Sequence, residues 1–153
     1  MMPPLADDHQ LRLVCFWVDD DLYGIDIMRV REVILPKRQH ADLAMIRENG
    51  IVSVRGRALS LYSLRDLLGY EPCPESGEGC LVVTSVKGQE QALVADKPDQ
   101  VRLVSPDSAV PPPRELASLP LLALVSTQHR VIRVLDVDRL TGQVSRRRIE
   151  SAI

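Results

Sequence analysis

The apolar residues of this chain come in short runs separated by charged, Gly or Pro clusters. That pattern predicts strands and tight turns rather than long helices. Residues 11–18 are apolar at nearly every position from Leu13 onward, as expected of a strand buried on both faces. Asp19-Asp20-Asp21 breaks the run, because adjacent carboxylates repel and Asp favours local side-chain turns, so a solvated turn is expected. Residues 22–27 resume as a second strand and complete a hairpin. Residues 28–34 keep Met28, Val30 and, after a change of phase, Val33 and Ile34 apolar, which predicts an irregular strand with a bulge or bend before Pro36. Residues 37–49 read as a polar loop with room for one helical turn. After Gly50, residues 51–54 and 57–63 read as strands on either side of Arg55-Gly56, and 64–68 as a short helix stopped by Gly69. Pro72, Pro74, Gly77 and Gly79 mark 71–79 as a linker.

The second half follows the same order. Strands at 81–86 and 91–95 flank a turn at 87–90, a short strand follows at 101–104, and Pro111-Pro112-Pro113 makes an extended connector without N–H donors. Strands at 121–125 and 130–135 pair across 126–129, and 136–140 is a short helix stopped by Gly142. Residues 57–69 can be laid on 130–142 without a gap, which puts Leu59 on Ile132, Leu61 on Val134, Leu64 on Val137 and Leu67 on Leu140. Residues 14–33 and 81–104 share the order strand, charged turn, strand, short strand. An internal repeat is therefore expected, and with it a mostly β fold of two small, closed or nearly closed barrel subdomains with short helices. Each barrel alone would bury little apolar area, so the two should pack together and leave a groove at their seam.

Composition narrows the function classes. The 153 residues suit one domain, and 19 basic against 21 acidic residues, a net charge of -2, give no reason to expect a nucleic-acid partner. Hydrophobic residues make up 45% and aromatics 3%, so the core must be aliphatic. No apolar run approaches the ~20 residues of a membrane span, and 1–10 carries Asp7 and Asp8 without the apolar stretch of a signal peptide. Neither direct membrane insertion nor export is expected; 1–10 reads as a flexible tail, and 143–153, with Arg146-Arg147-Arg148, as a tail or a helix extension. Three cysteines, an odd number, suit reduced thiols in a cytoplasmic protein.

Candidate chemistry is sparse. His9, His40 and His129 are scattered, with no metal-ligand spacing, and Cys73 and Cys80 lack the close spacing of a zinc knuckle. The three carboxylates at 19–21 are too few for a hard cation. No nucleophile elbow or phosphate loop is present. No catalytic residues, metal or cofactor are expected.

Three stretches resemble a known family. LYGIDIMRVREV (22–33), ENGIVSVRGRALSLYSLRDLLG (48–69) and ALVADKPDQVRLV (92–104) are similar to segments of CheW-like domains, the coupling modules of bacterial chemotaxis. The resemblance covers 11–140, and it implies a single CheW-like domain over 11–142 built from two interleaved, SH3-like five-stranded barrels with a boundary near 70–80. It also implies a non-catalytic adaptor, cytoplasmic and associated with receptor arrays at the inner membrane. Its partners would be a CheA-type histidine kinase and the cytoplasmic tip of a methyl-accepting chemoreceptor. Carried over by position, partner binding would fall on Val30, Glu32, Val33, Gly50, Arg55 and Gly56. Val30 and Val33 are either core or the apolar floor of a groove; Glu32 between them reads as a solvent-facing recognition charge. Arg55 either pairs with a carboxylate of the protein or reaches an acidic partner, and Gly56 permits a positive φ at the bend. The chain departs from the family at Ser53, where Asn is usual, and at Lys97-Pro98 after Asp96, which make a stiffer bend. The more divergent second half leaves open a docking module for a single regulatory partner, in an alternative chemosensory or surface-motility pathway. A ligand sensor or an enzyme in the seam finds no acid–base pair in the sequence.

Overall fold

Short alternating runs closed by two-residue turns give eleven strands. The computed structural model describes residues 10–35, 50–72 and 79–141. The strands are β1 (Leu11–Val18), β2 (Asp21–Asp26), β3 (Val30–Ile34), β4 (Ile51–Val54), β5 (Arg57–Ser63), β6 (Cys80–Val86), β7 (Gln89–Ala95), β8 (Lys97–Val104), β9 (Ala109–Val110), β10 (Leu121–Ser126) and β11 (Val131–Leu135). Helix α1 (Leu64–Leu68) follows β5, and a second helical stretch, α2 (137–141), follows β11. The expected tails, the loop at 37–49 and most of the 71–79 linker lie outside the described residues.

One sheet has the order β8-β1-β2-β11-β10-β9, the other β3-β6-β7-β5-β4. The first carries a sixth strand beyond the five expected, the two-residue β9. Within each sheet one pairing is parallel: β11 with β2, and β5 with β7. Both sheets curl. In the second, Ile34 from one edge strand shares a buried cluster with Val52 and Val54 from the other. In the first, Val104 of β8 meets Val125 of β10 around Leu13, Cys15, Leu22 and Ile132. Each sheet thus wraps its own aliphatic core, and the fold is the mostly β pair of packed barrels that the strand pattern implies.

A third cluster fills the seam. Phe16, Val18, Tyr23 and Ile25 of the first sheet pack with Tyr62, Cys80, Val82, Leu93 and Ala95 of the second, and with Leu64, Leu68, Val137 and Leu140 of the two helices. Alternation along a strand sends successive side chains to opposite faces. Strand β1 therefore gives Leu13 and Cys15 to the barrel and Phe16 and Val18 to the seam. This is why the run at 13–18 is apolar on both faces.

The repeat is visible in the pairing. Exchanging β1–β5 with β6, β7, β8, β10 and β11 in order, each for the other, converts the second sheet's order into the first five strands of the first. The third strand of each repeat crosses over: β3 pairs with β6, and β8 with β1. The chain leaves the first sheet through a 3-10 turn at Ile27–Arg29 and returns to it through Asp96 alone. The strands on either side of the expected boundary near 70–80, β5 and β6, belong to the same sheet.

Candidate functional site

The candidate residues are set by one bulge and one turn. The pairing of β3 with β6 slips between Val30 and Glu32. Without that slip, Val30 and Val33 would project to opposite faces. With it, both lie on the seam side, opposite Thr84 and Val82, while Glu32 and Ile34 turn toward the second barrel opposite Val83 and Leu81. Val30 is half-buried against the seam cluster and Val33 is 37% exposed. Met28, in the preceding 3-10 turn, is 85% exposed. An apolar strip therefore runs along edge strand β3 beside the seam.

On the other edge of the same sheet, Arg55-Gly56 forms a two-residue turn between Val54 and Arg57, with φ of 51° and 78°. Two positive φ values make the primed turn that suits a twisted hairpin. The turn carries Arg55 across the gap between the sheet's two edges, where its Nη1 donates to both Glu32 oxygens at 2.7 and 2.6 Å. The Arg55 side chain stays 64% exposed, while that of Glu32 is 22% exposed. Glu32 is thus held at the barrel rim by Arg55 instead of facing free solvent, because the bulge turns it inward. Gly56 shares this rim. Gly50, with φ of 75°, lies at the opposite end of β4, where its carbonyl accepts from the Leu61 N–H at 2.7 Å. Five of the six candidates therefore line β3 and the turn facing it, and Gly50 stands apart.

A second polar cluster, which the sequence did not single out, crosses the seam. Arg65 of α1 donates to Asp96 through Nε (2.9 Å) and Nη2 (2.6 Å), and to Asp19 at 3.2 Å. Asp96 also accepts from the Asp19 N–H at 2.6 Å. Burial pushes the Asp96 carboxyl up, but Arg65 and the Asp19 N–H outweigh it and hold its pKa below the usual range. Beside it, Tyr70 donates to Asp21 and meets the Tyr23 hydroxyl at 2.6 Å, and Arg133 donates to Tyr23 at 3.3 Å. Burial, Asp21 and Tyr23 together raise the Tyr70 pKa, so the phenol stays protonated. The expected turn of three aspartates is therefore only two residues long, and Asp19 and Asp21 anchor this network. Among the described residues no buried side-chain nitrogen or oxygen lacks a partner.

Gly24 of the sequence LYGIDI has a packing reason. A Cβ there would meet Ile132 Cγ2 at 3.0 Å and Leu13 Cβ at 3.3 Å, so the small residue lets β11 close on β2. Among the described residues no group of three His, Cys, Asp or Glu side chains is placed to hold a metal ion, and no helix is long and apolar enough to cross a membrane. The rim of the second barrel offers an apolar strip beside a largely exposed arginine that is paired with a carboxylate.

Comparison with known proteins agrees with this architecture. The family model for the CheW-like domain matches residues 12–145. The protein named Chemotaxis protein CheW in Treponema pallidum (strain Nichols) is 26% identical over 151 residues, covering 91% of this chain and 86% of that protein. The crystal structure of the scaffolding protein TtCheW from Thermoanaerobacter tengcongensis superposes with a TM-score of 0.69 at 21% identity, over 83% of this chain and 89% of that one.

Proposed function

The chain belongs to the CheW-like domain family, and from that premise we propose that it is a non-catalytic adaptor of a bacterial chemosensory array. It couples the cytoplasmic tip of a methyl-accepting chemoreceptor to a CheA-type histidine kinase, in the cytoplasm at the inner membrane. The observation that carries this reading is the rim of the second barrel. Val33 and Met28 expose apolar area beside the seam, and Arg55 holds Glu32 while keeping most of its own side chain in solvent. A helix with an apolar stripe flanked by acidic residues fits such a surface. Val30, Glu32, Val33, Arg55 and Gly56 are the proposed contacts; Gly50 supports the hairpin that carries Arg55. Each contact is small, so array assembly relies on many weak links acting together.

The test is co-sedimentation of the chain with separate receptor-tip and kinase fragments. Val33→Glu should weaken receptor capture about tenfold and leave the thermal midpoint within about 2 °C, as expected of an exposed position. Arg55→Glu should also weaken capture. The exchange Glu32→Arg with Arg55→Glu rebuilds the ion pair with reversed polarity. If capture recovers fully in the exchanged protein, the pair is only structural and the rim is not the contact. Capture of one fragment but never the other would favour a single-partner docking module.

A further inference from the structure

Each of the two places where the chain changes sheets is fastened by an arginine–aspartate pair, and the two pairs have opposite polarity. At the first crossover, Arg29 donates from Nη2 and Nη1 to the two carboxylate oxygens of Asp138 in α2, at 2.7 and 3.2 Å, and to the Ser85 carbonyl at 3.2 Å. At the second, Asp96 accepts from Arg65 in α1 at 2.6–3.1 Å. The gapless superposition of 57–69 on 130–142 puts Arg65 on Asp138. It also puts Ser63, whose hydroxyl caps α1, on Asp136, whose carboxylate accepts from the Arg139 N–H at the start of α2. The two helices are thus equivalent in position and in capping, yet one presents a cation to its crossover and the other an anion. Both aspartates of these pairs are held below the ordinary carboxylate range by their arginines.

We propose that these oppositely poled clamps specify which repeats pair, joining the first repeat to the second and rejecting like with like. In the observed fold each helix meets the crossover of the other repeat: α1 meets Asp96, and α2 meets Arg29. The exchanged third strands make the fold a dimer of repeats within one chain. The same strand pairings could be satisfied by two copies of the first repeat from two chains, or by two copies of the second. In the first case Arg65 would face Arg29, and in the second Asp138 would face Asp96. Like charges meet in both, and both are disfavoured. Connections of three residues and of one are too short to carry a strand to the far end of its own sheet, so pairing within a single repeat is already closed off. The clamp polarity acts on like-with-like pairing between chains, while the joining of both repeats in one chain favours the first repeat's meeting its own second repeat. This inference stands apart from the adaptor reading and uses none of the proposed contact residues.

The experiment refolds the full chain from denaturant as an equal mixture of two differently tagged copies. The fraction carrying both tags is compared with that of folded copies mixed without refolding. For the natural sequence the two fractions should agree. Arg29→Asp with Asp138→Arg keeps both crossover ion pairs complementary, at the loss of the hydrogen bond to the Ser85 carbonyl, but makes like-with-like pairing complementary too. Its doubly tagged fraction should rise several-fold on refolding and should increase with concentration. Arg65→Asp with Asp96→Arg should do the same once Asp19→Asn is added, so that the carboxylate placed at 65 meets no like charge. Combining the two exchanges, with Asp19→Asn kept, restores opposite polarity in mirror image and should return the fraction to the unrefolded level, which a loss of stability could not do. The proposal is overturned if the single-clamp exchanges refold without added doubly tagged species, or if the combined exchange yields as much of it as they do. An Arg29–Asp138 exchange that folds in no form also counts against it, because its ion pair is kept and only the contact with the Ser85 carbonyl is given up.

Discussion

At the residue scale, ion pairs of this fold join side chains far apart in the chain, Arg55 with Glu32 and Arg65 with Asp96 and Asp19. Gly56 was readable as a positive-φ position, and its φ is 78°. Glu32 was read as a solvent-facing recognition charge, and its pairing with Arg55 was not legible, because nothing local reveals that a turn 23 residues away delivers Arg55 to it. The Arg65 cluster was invisible for the same reason, with partners 31 and 46 residues away. Asp96 supplies a pH test. Its folded-state pKa is depressed, so its contribution is present above the unfolded carboxylate pKa of about 4 and is lost as pH falls toward the lower folded value. Asp96→Asn should therefore cost about 1–2 kcal/mol in denaturant unfolding at pH 7. The gap between the two proteins should narrow as pH falls below the unfolded carboxylate value and through the lower folded one. A gap independent of pH would mean that the carboxylate charge plays no part.

At the element scale, the periodicity of two located most strands, and the misses have physical causes. Strand β8 begins at Lys97, not at 101, because Lys97-Pro98-Asp99-Gln100 is too polar to read as a strand. As an edge strand it tolerates Pro98, which sits opposite Phe16 of β1. Strand β9 is two residues long and carries no pattern at all. The irregularity expected in 28–34 is real and resolves into the 3-10 turn at Ile27–Arg29 and the bulge in β3. The hairpin turns at Arg55-Gly56 and Lys87-Gly88 are closely alike, with second-position φ of 78° and 81°. A Cβ at Gly56 or Gly88 would touch nothing within 4 Å, so only the backbone resists substitution. Gly56→Ala and Gly88→Ala should each lower stability by about 1–2 kcal/mol. Calorimetric scans of the two variants should give similar shifts, and a neutral result at either would show that its turn relaxes to another form.

At the scale of the whole molecule, the twofold plan was readable from the residues themselves, whereas the interleaving of the barrels came only from the family resemblance. Hydrophobic spacing reports which residues face a core, and it is silent on which strand of which repeat completes the sheet. Because β1 and β2 share a sheet with β8, β10 and β11, neither half of the chain can keep a complete barrel after the other has unfolded. Unfolding should therefore be a single cooperative transition. Trp17, the chain's one tryptophan, packs half-buried against the first barrel's core with Arg130 4.9 Å from its ring, and far-UV circular dichroism samples both sheets. The two signals should share one denaturant midpoint; separated midpoints would show that the barrels melt independently.

The placement of two thiols turns this architecture into something that can be timed. Cys15 belongs to the interior of the first barrel and Cys80 to the seam, and burial pushes each up to about 12. An alkylating reagent attacks the thiolate, so at neutral pH each sulfur stays silent until its shelter opens. With Cys73 replaced by Ser, the two described cysteines therefore act as two labelling clocks inside one native chain. The ratio of their rates tells whether the barrels part from each other before either one uncurls.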